Sequence, residues 1–273
     1  MAQIICLANS KKYGDRCIAG IEISTGKWIR PVTNLEFGQV PKEMCLVDGE
    51  EPKLLDILEI LLINTYPGYE LENRLIVHGK WQRVGQADIA DIIQYCEAEI
   101  IYSQWQNSVP ISFLESLPNQ RRTLQLLITT KFQVDYRGNN KWDGFVITAK
   151  GQKLKAVITD LSVITKLNQG ITIGNECLVT ISLGQPWRKT EFDEFACWKL
   201  IAGVIELSQS DLILVEMQRL GWSIAQGRAY LQQKYNKRSR QQLTSTETIH
   251  FLKYLKSLPT PHTSLLNWHE LPF

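Results

Sequence analysis

The sequence lacks most of the features by which an enzyme or a metalloprotein is recognised. Its six cysteines are scattered with no Cys-x-x-Cys pair, and it has only four histidines. It contains no glycine-rich phosphate loop, no Gly-x-Ser-x-Gly turn and no His-Glu-x-x-His motif. The cysteine pattern argues against a zinc knuckle or a disulfide framework and is typical of reduced, buried thiols. We therefore expect a non-enzymatic protein that uses no cofactor and no metal.

Excess charge and long hydrophobic runs are also scarce. The chain has 30 basic and 28 acidic side chains, so its total charge does not indicate a nucleic-acid partner. The apolar run at residues 4–8 has no basic lead, and the run at residues 54–63 contains Asp56 and Glu59. We therefore expect neither a signal peptide nor a membrane span, and a cytoplasmic protein.

The first three quarters of the chain alternate short apolar runs with turn residues, a pattern typical of small β-barrels. Residues 16–32 predict a β-hairpin, because two apolar runs flank Ser24-Thr25-Gly26. Residues 54–63 and 124–136 each predict one long strand. A stripe at i, i+3, i+4 and i+7 predicts an amphipathic helix; it consists of Ile89, Ile92, Ile93 and Cys96.

The last quarter predicts helices over residues 210–220, 223–235 and 244–258. The second and third open with the capping boxes Ser223-x-x-Gln226 and Thr244-x-x-Glu247. Residues 208–259 contain eight basic and three acidic side chains, a net charge of +5, so the rest of the chain carries −3 of the total of +2. A basic tail is thus attached to a slightly acidic body.

These patterns predict a mainly β protein with α-helices: two tandem OB-like small barrels followed by a three-helix C-terminal module. The first barrel, with a helical insertion, is expected at residues 1–122 and the second at residues 123–207. The basic three-helix module follows at residues 208–259, and residues 260–273 are expected to be a loosely ordered tail. Pattern alone does not separate OB barrels from SH3-like barrels.

One candidate for nucleic-acid contact is the second strand of the predicted hairpin. Trp28 and Arg30 share one face of it, because successive side chains of a strand alternate between faces. An aromatic ring beside a fixed cation suits stacking a base or gripping a phosphate. It equally suits a half-buried tryptophan beside a solvated arginine.

Two further aromatic and basic groups lie at predicted turns. Tyr136 and Arg137 precede a turn that Trp142 follows, an arrangement that suits nucleic-acid binding or the closing of a barrel end. Trp187 and Arg188 lie in a loop after a strand, where the alternative is a solvated turn with the indole packed on the barrel.

The helical tail contains four cations within seven residues: Lys234, Lys237, Arg238 and Arg240. Such a cluster engages phosphates without reading base sequence. The alternatives are a favourable interaction with the C-terminal end of a helix dipole, or a solvated face.

A metal-dependent nuclease is a third possibility, and it requires Asp135, Asp143 and Asp160 to converge. These residues otherwise suit turns and helix caps, and Asp160 precedes a predicted short helix.

Two parts of the chain are similar to a known family. Asp15-Arg16-Cys17-Ile18-Ala19-Gly20-Ile21 with Thr25-Gly26-Lys27-Trp28-Ile29-Arg30-Pro31 resembles the opening signature of the dual OB-containing domain family. Leu154-x-x-Val157-x-Thr159-Asp160, Ser182-Leu183-Gly184 and Trp198-Lys199-Leu200-Ile201-Ala202-Gly203 resemble its second half. The resemblance covers about residues 1–207. It implies two OB folds and a nucleic-acid-sensing or binding role in prokaryotic defence-type systems, with no catalytic residues to transfer. The tail is similar to a helical extension of bacterial, especially cyanobacterial, proteins, some of which handle DNA.

The sequence thus predicts a protein that binds or senses single-stranded or structured nucleic acid by aromatic stacking and phosphate contacts, with a protein effector as a further expected partner. The alternative is a protein-interaction or small-ligand sensor module, because OB barrels also bind peptides and oligosaccharides. The slightly acidic body favours that alternative.

Overall fold

The computed structural model describes residues 1–64, 69–77, 79, 81–117 and 119–261. Within these ranges the chain is mainly β, with one sheet of seven strands, one of eight and six α-helices. It divides into two compact units. One contains Met1–Asp88 and Tyr95–Glu206, and the other contains Ile89–Gln94 and the chain from Leu207 onward. Most of the predicted tail, residues 262–273, lies outside the described residues.

The first sheet is built from the N-terminal part of the chain. Its strands are β1 (Ala2–Lys12), β2 (Asp15–Glu22), β3 (Trp28–Val32), β4 (Asp56–Ile60), β5 (Leu62–Asn64), β6 (Asn73–Ile76) and β7 (Gln82–Gln86), in the order β5-β6-β3-β2-β1-β4-β7. The predicted hairpin is confirmed, since β2 and β3 are antiparallel. Residues 54–63 form two strands rather than one, because the chain changes partner: β4 pairs with β1 and β5 with β6.

The second sheet follows. Its strands are β8 (Cys96–Glu97), β9 (Ser108–Pro110), β10 (Leu124–Ile128), β11 (Lys131–Gly138), β12 (Lys141–Ile147), β13 (Lys153–Ile158), β14 (Cys177–Trp187) and β15 (Ala196–Glu206). Their order is β11-β12-β13-β15-β14-β10-β8, with β9 paired to β15. Because β8 and β9 precede residue 122, the division between the sheets does not coincide with the predicted boundary there.

Two predictions about this region need correction. The predicted amphipathic helix is reduced to α1 (Ile89–Ile92) and a 3-10 turn, because Cys96 instead pairs with Leu126 of β10. Residues 124–136 form β10 and β11 rather than one strand, because β10 pairs with β14 whereas β11 pairs with β12. In both cases pairing with a distant strand overrides the local pattern.

Short helices follow the strands. They are α2 (Ile111–Glu115) and α3 (Leu161–Asn168), and the carboxylate of Asp160 caps α3 by accepting from the backbone N–H groups of Ser162 and Val163. This cap was predicted and is confirmed.

The second unit contains α4 (Gln209–Leu220), α5 (Ile224–Tyr235) and α6 (Ser245–Ser257), which share one apolar core around Phe251 and Leu255. The predicted capping boxes at Ser223 and Thr244 are present, and Ser208 with Asp211 forms a third. Among the described residues, no helix is both long and apolar enough to cross a membrane.

The two sheets touch backbone to backbone where β1 meets β14 and β15. The Leu7 carbonyl accepts a hydrogen bond of 2.6 Å from the Thr180 hydroxyl, and the Lys11 N–H donates to the Thr159 carbonyl at 3.0 Å. A Cβ atom on Gly203 would lie 2.1 Å from the Leu7 oxygen. This close approach therefore requires glycine at residue 203.

Candidate nucleic-acid interface

Arg30 lies between the two sheets and is 1% exposed. Its Nη1 lies 2.7 Å from a carboxylate oxygen of Glu70 and donates to the Asn73 side chain at 3.2 Å. On the side of the second sheet, Nη2 donates to the Thr123 hydroxyl at 3.0 Å and to the Ser182 hydroxyl at 3.4 Å. One planar guanidinium group therefore links β3 to β14 and to the residue that directly precedes β10 in the other sheet.

This buried pair is held in its charged form. Burial opposes ionisation of Glu70, but the charges of Arg30 and Lys12 and a hydrogen bond from Asn73 hold the pKa of that carboxyl below its usual range. Burial also opposes the charge on Arg30, yet Glu70 and Glu72 keep the pKa of the guanidinium above its ordinary value. The pair is consequently a closed, nearly neutral floor between the sheets.

A cleft of about 340 Å³ opens above this floor. We name it the inter-sheet cleft and define it by its charged and aromatic lining residues, which are Lys11, Lys12, Tyr13, Arg30, Glu70, Trp187 and Trp198. Its volume is near the lower end of the range for small-ligand sites, which run from about 300 to 1,000 Å³.

The β1–β2 hairpin forms one rim of the cleft. Lys11, Lys12 and Tyr13 lie at its tip, and Tyr13 is 62% exposed. The Tyr13 ring stacks on Phe37, with ring centres 4.0 Å apart and an angle of 21° between the planes. Phe37 thus supports one face of an exposed aromatic ring beside two cations.

The end of β14 and the start of β15 form the opposite rim. Trp187 is 54% exposed and its ring lies 6.2 Å from that of Trp198. Lys189 Nζ lies 5.1 Å from the centre of the Trp198 ring, and Arg188 lies over Phe195 at 4.7 Å. This rim therefore repeats the combination of aromatic rings and cations found on the first rim.

The loop at this rim also contains acidic residues, and two of them are already engaged. Asp193 accepts hydrogen bonds from the backbone and hydroxyl of Thr190 at 2.9 Å, and Glu194 accepts one from Ser112.

The other face predicted for binding is covered. Trp28 is partly buried in an apolar cluster with Ala8, Ala19, Leu124 and Ala202, which come from both sheets. The tryptophan of the alternative interpretation is therefore half-buried as expected, whereas Arg30 is not solvated. The face that the two residues share packs against the second sheet.

The hairpin with Tyr136 does not line the cleft. Tyr136 and Trp142 are cross-strand neighbours with ring centres 4.9 Å apart, and Trp142 Nε1 donates to Asn168 at 2.9 Å. Arg137 lies 3.3 Å from Asp143. Tyr136 nevertheless remains 57% exposed.

The four cations of the tail have different surroundings. Lys234 and Arg238 are exposed, Lys237 is partly buried, and Arg240 lies 4.0 Å from Asp211. Arg238 lines a shallow groove together with Arg228. The sequence cluster is thus divided between a solvent-facing part and a part packed within the helical unit.

The predicted nuclease carboxylates do not make a metal site. Asp135 and Asp143 face each other across β11 and β12, with Lys155 at 3.9 Å and 3.3 Å respectively. The Asp160 carboxylate instead accepts from backbone N–H groups, including that of Val204 at 2.8 Å. In the part of the chain that the structure describes, no group of three His, Cys, Asp or Glu side chains is placed to hold a metal ion.

Five of the residues that define the cleft were not predicted from the sequence: Lys11, Lys12, Tyr13, Glu70 and Trp198. Residues 9–15 are mostly polar in sequence, but the strand pairing of β1 with β2 continues to Lys12 and the chain turns at Tyr13-Gly14. The positive φ angles of Tyr13 and Gly14, 49° and 92°, fit a tight hairpin turn, for which the Tyr-Gly pair was the available signal.

Two adjoining β-sheets joined through buried polar contacts, with a separate helical unit, are consistent with a pair of OB-like barrels followed by helices. A family model described as the dual OB-containing domain matches residues 2–204. The chain belongs to this family.

Two individual proteins are also similar to parts of this chain. The chain is 52% identical over 48 residues to the uncharacterized protein slr1353 of Synechocystis sp., a match that spans 18% of this chain and 16% of the relative. The crystal structure of the tetrameric p202 HIN2 aligns over 76% of this chain and 91% of its own length, with 10% identity and a TM-score of 0.28. A likeness at that level supports no functional inference.

Proposed function

We propose that the protein binds single-stranded nucleic acid at the inter-sheet cleft. The observation that carries this proposal is the combination of exposed aromatic rings and cations on both rims: Tyr13 beside Lys11 and Lys12, and Trp187 beside Trp198, over whose ring Lys189 lies. Single-strand binding proteins combine stacking rings with a positively charged path for the backbone. The nearly neutral floor leaves the phosphates to the rims.

The expected energetics follow from this arrangement. Stacking of one base contributes about 1–3 kcal/mol, so Trp187→Ala should weaken binding by roughly 5- to 150-fold. If Lys11, Lys12 and Lys189 each contact one phosphate, the logarithm of affinity should fall with the logarithm of salt concentration at a slope of about −2.

The test is a fluorescence-anisotropy titration of the full chain with labelled single-stranded DNA and RNA at several salt concentrations. Tyr136→Ala is the matched control, because Tyr136 is as exposed as Trp187 but lies on a hairpin outside the cleft. Equal losses for the two variants would contradict the cleft as the binding surface. Absence of binding at low salt would refute the proposed function.

The helical unit offers a second, separate surface for phosphates. Arg228 and Arg238 line one groove there. Replacing both by alanine should reduce the salt slope by about 1 or more without changing any base preference, since phosphate contacts carry no sequence information.

A small-ligand sensor is the second candidate, favoured by the cleft volume of about 340 Å³. It predicts that free nucleotides bind as tightly as oligonucleotides and that longer strands gain nothing. The anisotropy titration, repeated with unlabelled mononucleotides as competitors, separates the two.

A further inference from the structure

The loop between β14 and β15 presents an exposed aromatic ring at its tip. Phe192 is 92% exposed, the highest value among the large hydrophobic side chains in the described part of the chain. At that exposure neither face of its ring is covered, whereas one face of the Tyr13 ring rests on Phe37. Trp187 and Phe195 of the same loop are 54% and 44% exposed. Phe192 therefore belongs to a group of exposed aromatic residues within residues 187–195, and such groups mark contact surfaces.

Hydrogen bonds within this loop fold it into a tight turn. Arg188 Nη1 donates to the Glu191 carbonyl at 2.9 Å, so the residue before Phe192 is tied to the start of the loop. The Asp193 carboxylate, on the other side of Phe192, accepts from the N–H and the hydroxyl of Thr190 at 2.9 Å. A ring held in this way can stack on a ligand without the cost of first ordering the loop.

The ring lies close enough to the inter-sheet cleft for one strand to contact both. Trp187 lines the cleft, and Phe192 follows it by five residues. Five residues of extended chain span at most about 18 Å, and the turn shortens that distance. A strand of about twelve nucleotides spans about 40 Å even at the helical rise of about 3.4 Å per nucleotide. A strand that enters the cleft at Trp187 can therefore also reach Phe192.

The charges around the ring favour a base over a phosphate as its contact. Glu191 and Asp193 flank Phe192 in sequence, and both are exposed. The two cations of the loop do not offset them, because each lies over another aromatic ring. A phosphate placed at Phe192 would meet the two carboxylates, whereas an uncharged base can stack on the ring without that repulsion.

We propose that Phe192 is a base-stacking residue outside the inter-sheet cleft, and that a bound strand continues from Trp187 over the β14–β15 loop with its bases toward the loop; this rests on the proposed function. The ring offers an uncovered face to any base, so this contact adds affinity without reading base sequence.

The test titrates the full chain with two labelled strands of about twelve nucleotides, one of oligo-dT and one of the same length in which every nucleotide is abasic. Phe192→Ala should weaken binding of oligo-dT by roughly fivefold or more. It should leave the affinity for the abasic strand at low salt unchanged, because that strand offers phosphates and no base. Tyr136→Ala is the control, since Tyr136 is an exposed aromatic residue on another hairpin.

Two further variants ask whether an aromatic ring is needed, and they require only oligo-dT. Phe192→Leu keeps an apolar side chain without a ring and should lose as much affinity as Phe192→Ala. Phe192→Trp keeps a ring and should retain the wild-type affinity.

Full affinity of Phe192→Ala or Phe192→Leu for oligo-dT would overturn the stacking role. It would leave the proposed function intact if Trp187→Ala still weakened binding. An equal loss on the abasic strand would also overturn the stacking role, because the side chain would then act on the backbone of the strand. Failure of the wild-type protein to bind oligo-dT at low salt would refute the proposed function itself.

Discussion

Replacing Arg30 by methionine tests how much one buried guanidinium, paired with Glu70 and hydrogen-bonded to the second sheet, stabilises the fold. The change leaves the Glu70 carboxylate, whose side chain is 7% exposed, without its guanidinium partner. It also removes the donor that Thr123 and Ser182 share. Breaking a buried pair by removing one partner costs about 3–5 kcal/mol. For a unit of about 200 residues we therefore expect the melting temperature in calorimetry to fall by roughly 6–20 °C.

A double variant separates the pair from general damage. Arg30→Met with Glu70→Gln removes both charges, so it should be more stable than the sum of the two single losses predicts, by at least about 1 kcal/mol. Arg122→Met is the control, since its pair with Glu97 is largely exposed and should contribute about 1 kcal/mol or less. A loss for Arg30→Met no larger than that of the control, or strict additivity in the double variant, would refute the reasoning.

Three further changes test other parts of the fold. Burial raises the pKa of Cys45 to about 11 and those of Cys177 and Cys197 to about 12. Unfolded thiols ionise near pH 8.5, so above that pH the folded state holds more protons than the unfolded state. In urea titrations the free energy of unfolding should therefore fall by about 1.4 kcal/mol per pH unit per thiol, up to the folded pKa. The fall should be less steep in Cys177→Ala, and a free energy that does not change with pH would contradict this reasoning. Gly203→Ala should cost about 1–3 kcal/mol in thermal melts, because its Cβ would lie 2.1 Å from the Leu7 oxygen, and an unchanged melting temperature would count against that contact. Ser223→Ala should cost about 1 kcal/mol by loss of the α5 cap, whereas Ser245→Ala, at a position that caps nothing, should be close to neutral.

The elements that the sequence predicted correctly are those with local signals. The β2–β3 hairpin, the caps at Ser223 and Thr244, and the α3 cap at Asp160 each depend on residues within a few positions of one another. Side-chain and backbone groups so close in sequence find each other whatever the rest of the chain does.

The elements that were wrong depend on distant partners. The run at residues 54–63 looks continuous because both halves are apolar, yet its halves pair with β1 and with β6. The predicted helix does not extend to Cys96, because Cys96 lies in β8 and pairs with the edge of β10. Hydrophobic periodicity gives the face that a residue occupies, and not the segment that covers that face.

The candidate site shows the same distinction. Alternation placed Trp28 and Arg30 on one face, which the structure bears out, but only the tertiary fold puts the second sheet over them. The aromatic residues of the cleft lie far apart in sequence, Tyr13 in a hairpin turn and Trp187 and Trp198 near the ends of two strands. No local pattern joins them.

The proposed function offers a physical explanation for the near-neutral charge of the chain. Because Glu70 compensates Arg30 and Arg188 already donates to the Glu191 carbonyl at 2.9 Å, the rim cations counted for phosphate contact are Lys11, Lys12 and Lys189. Three such contacts give a salt slope of only about −2, so most of the affinity should come from stacking and base contacts and should persist at salt concentrations that dissociate strongly basic binding proteins. Under the proposed function, binding that depends mainly on stacking needs little net charge, and a slope several units steeper would place the binding on the helical unit instead.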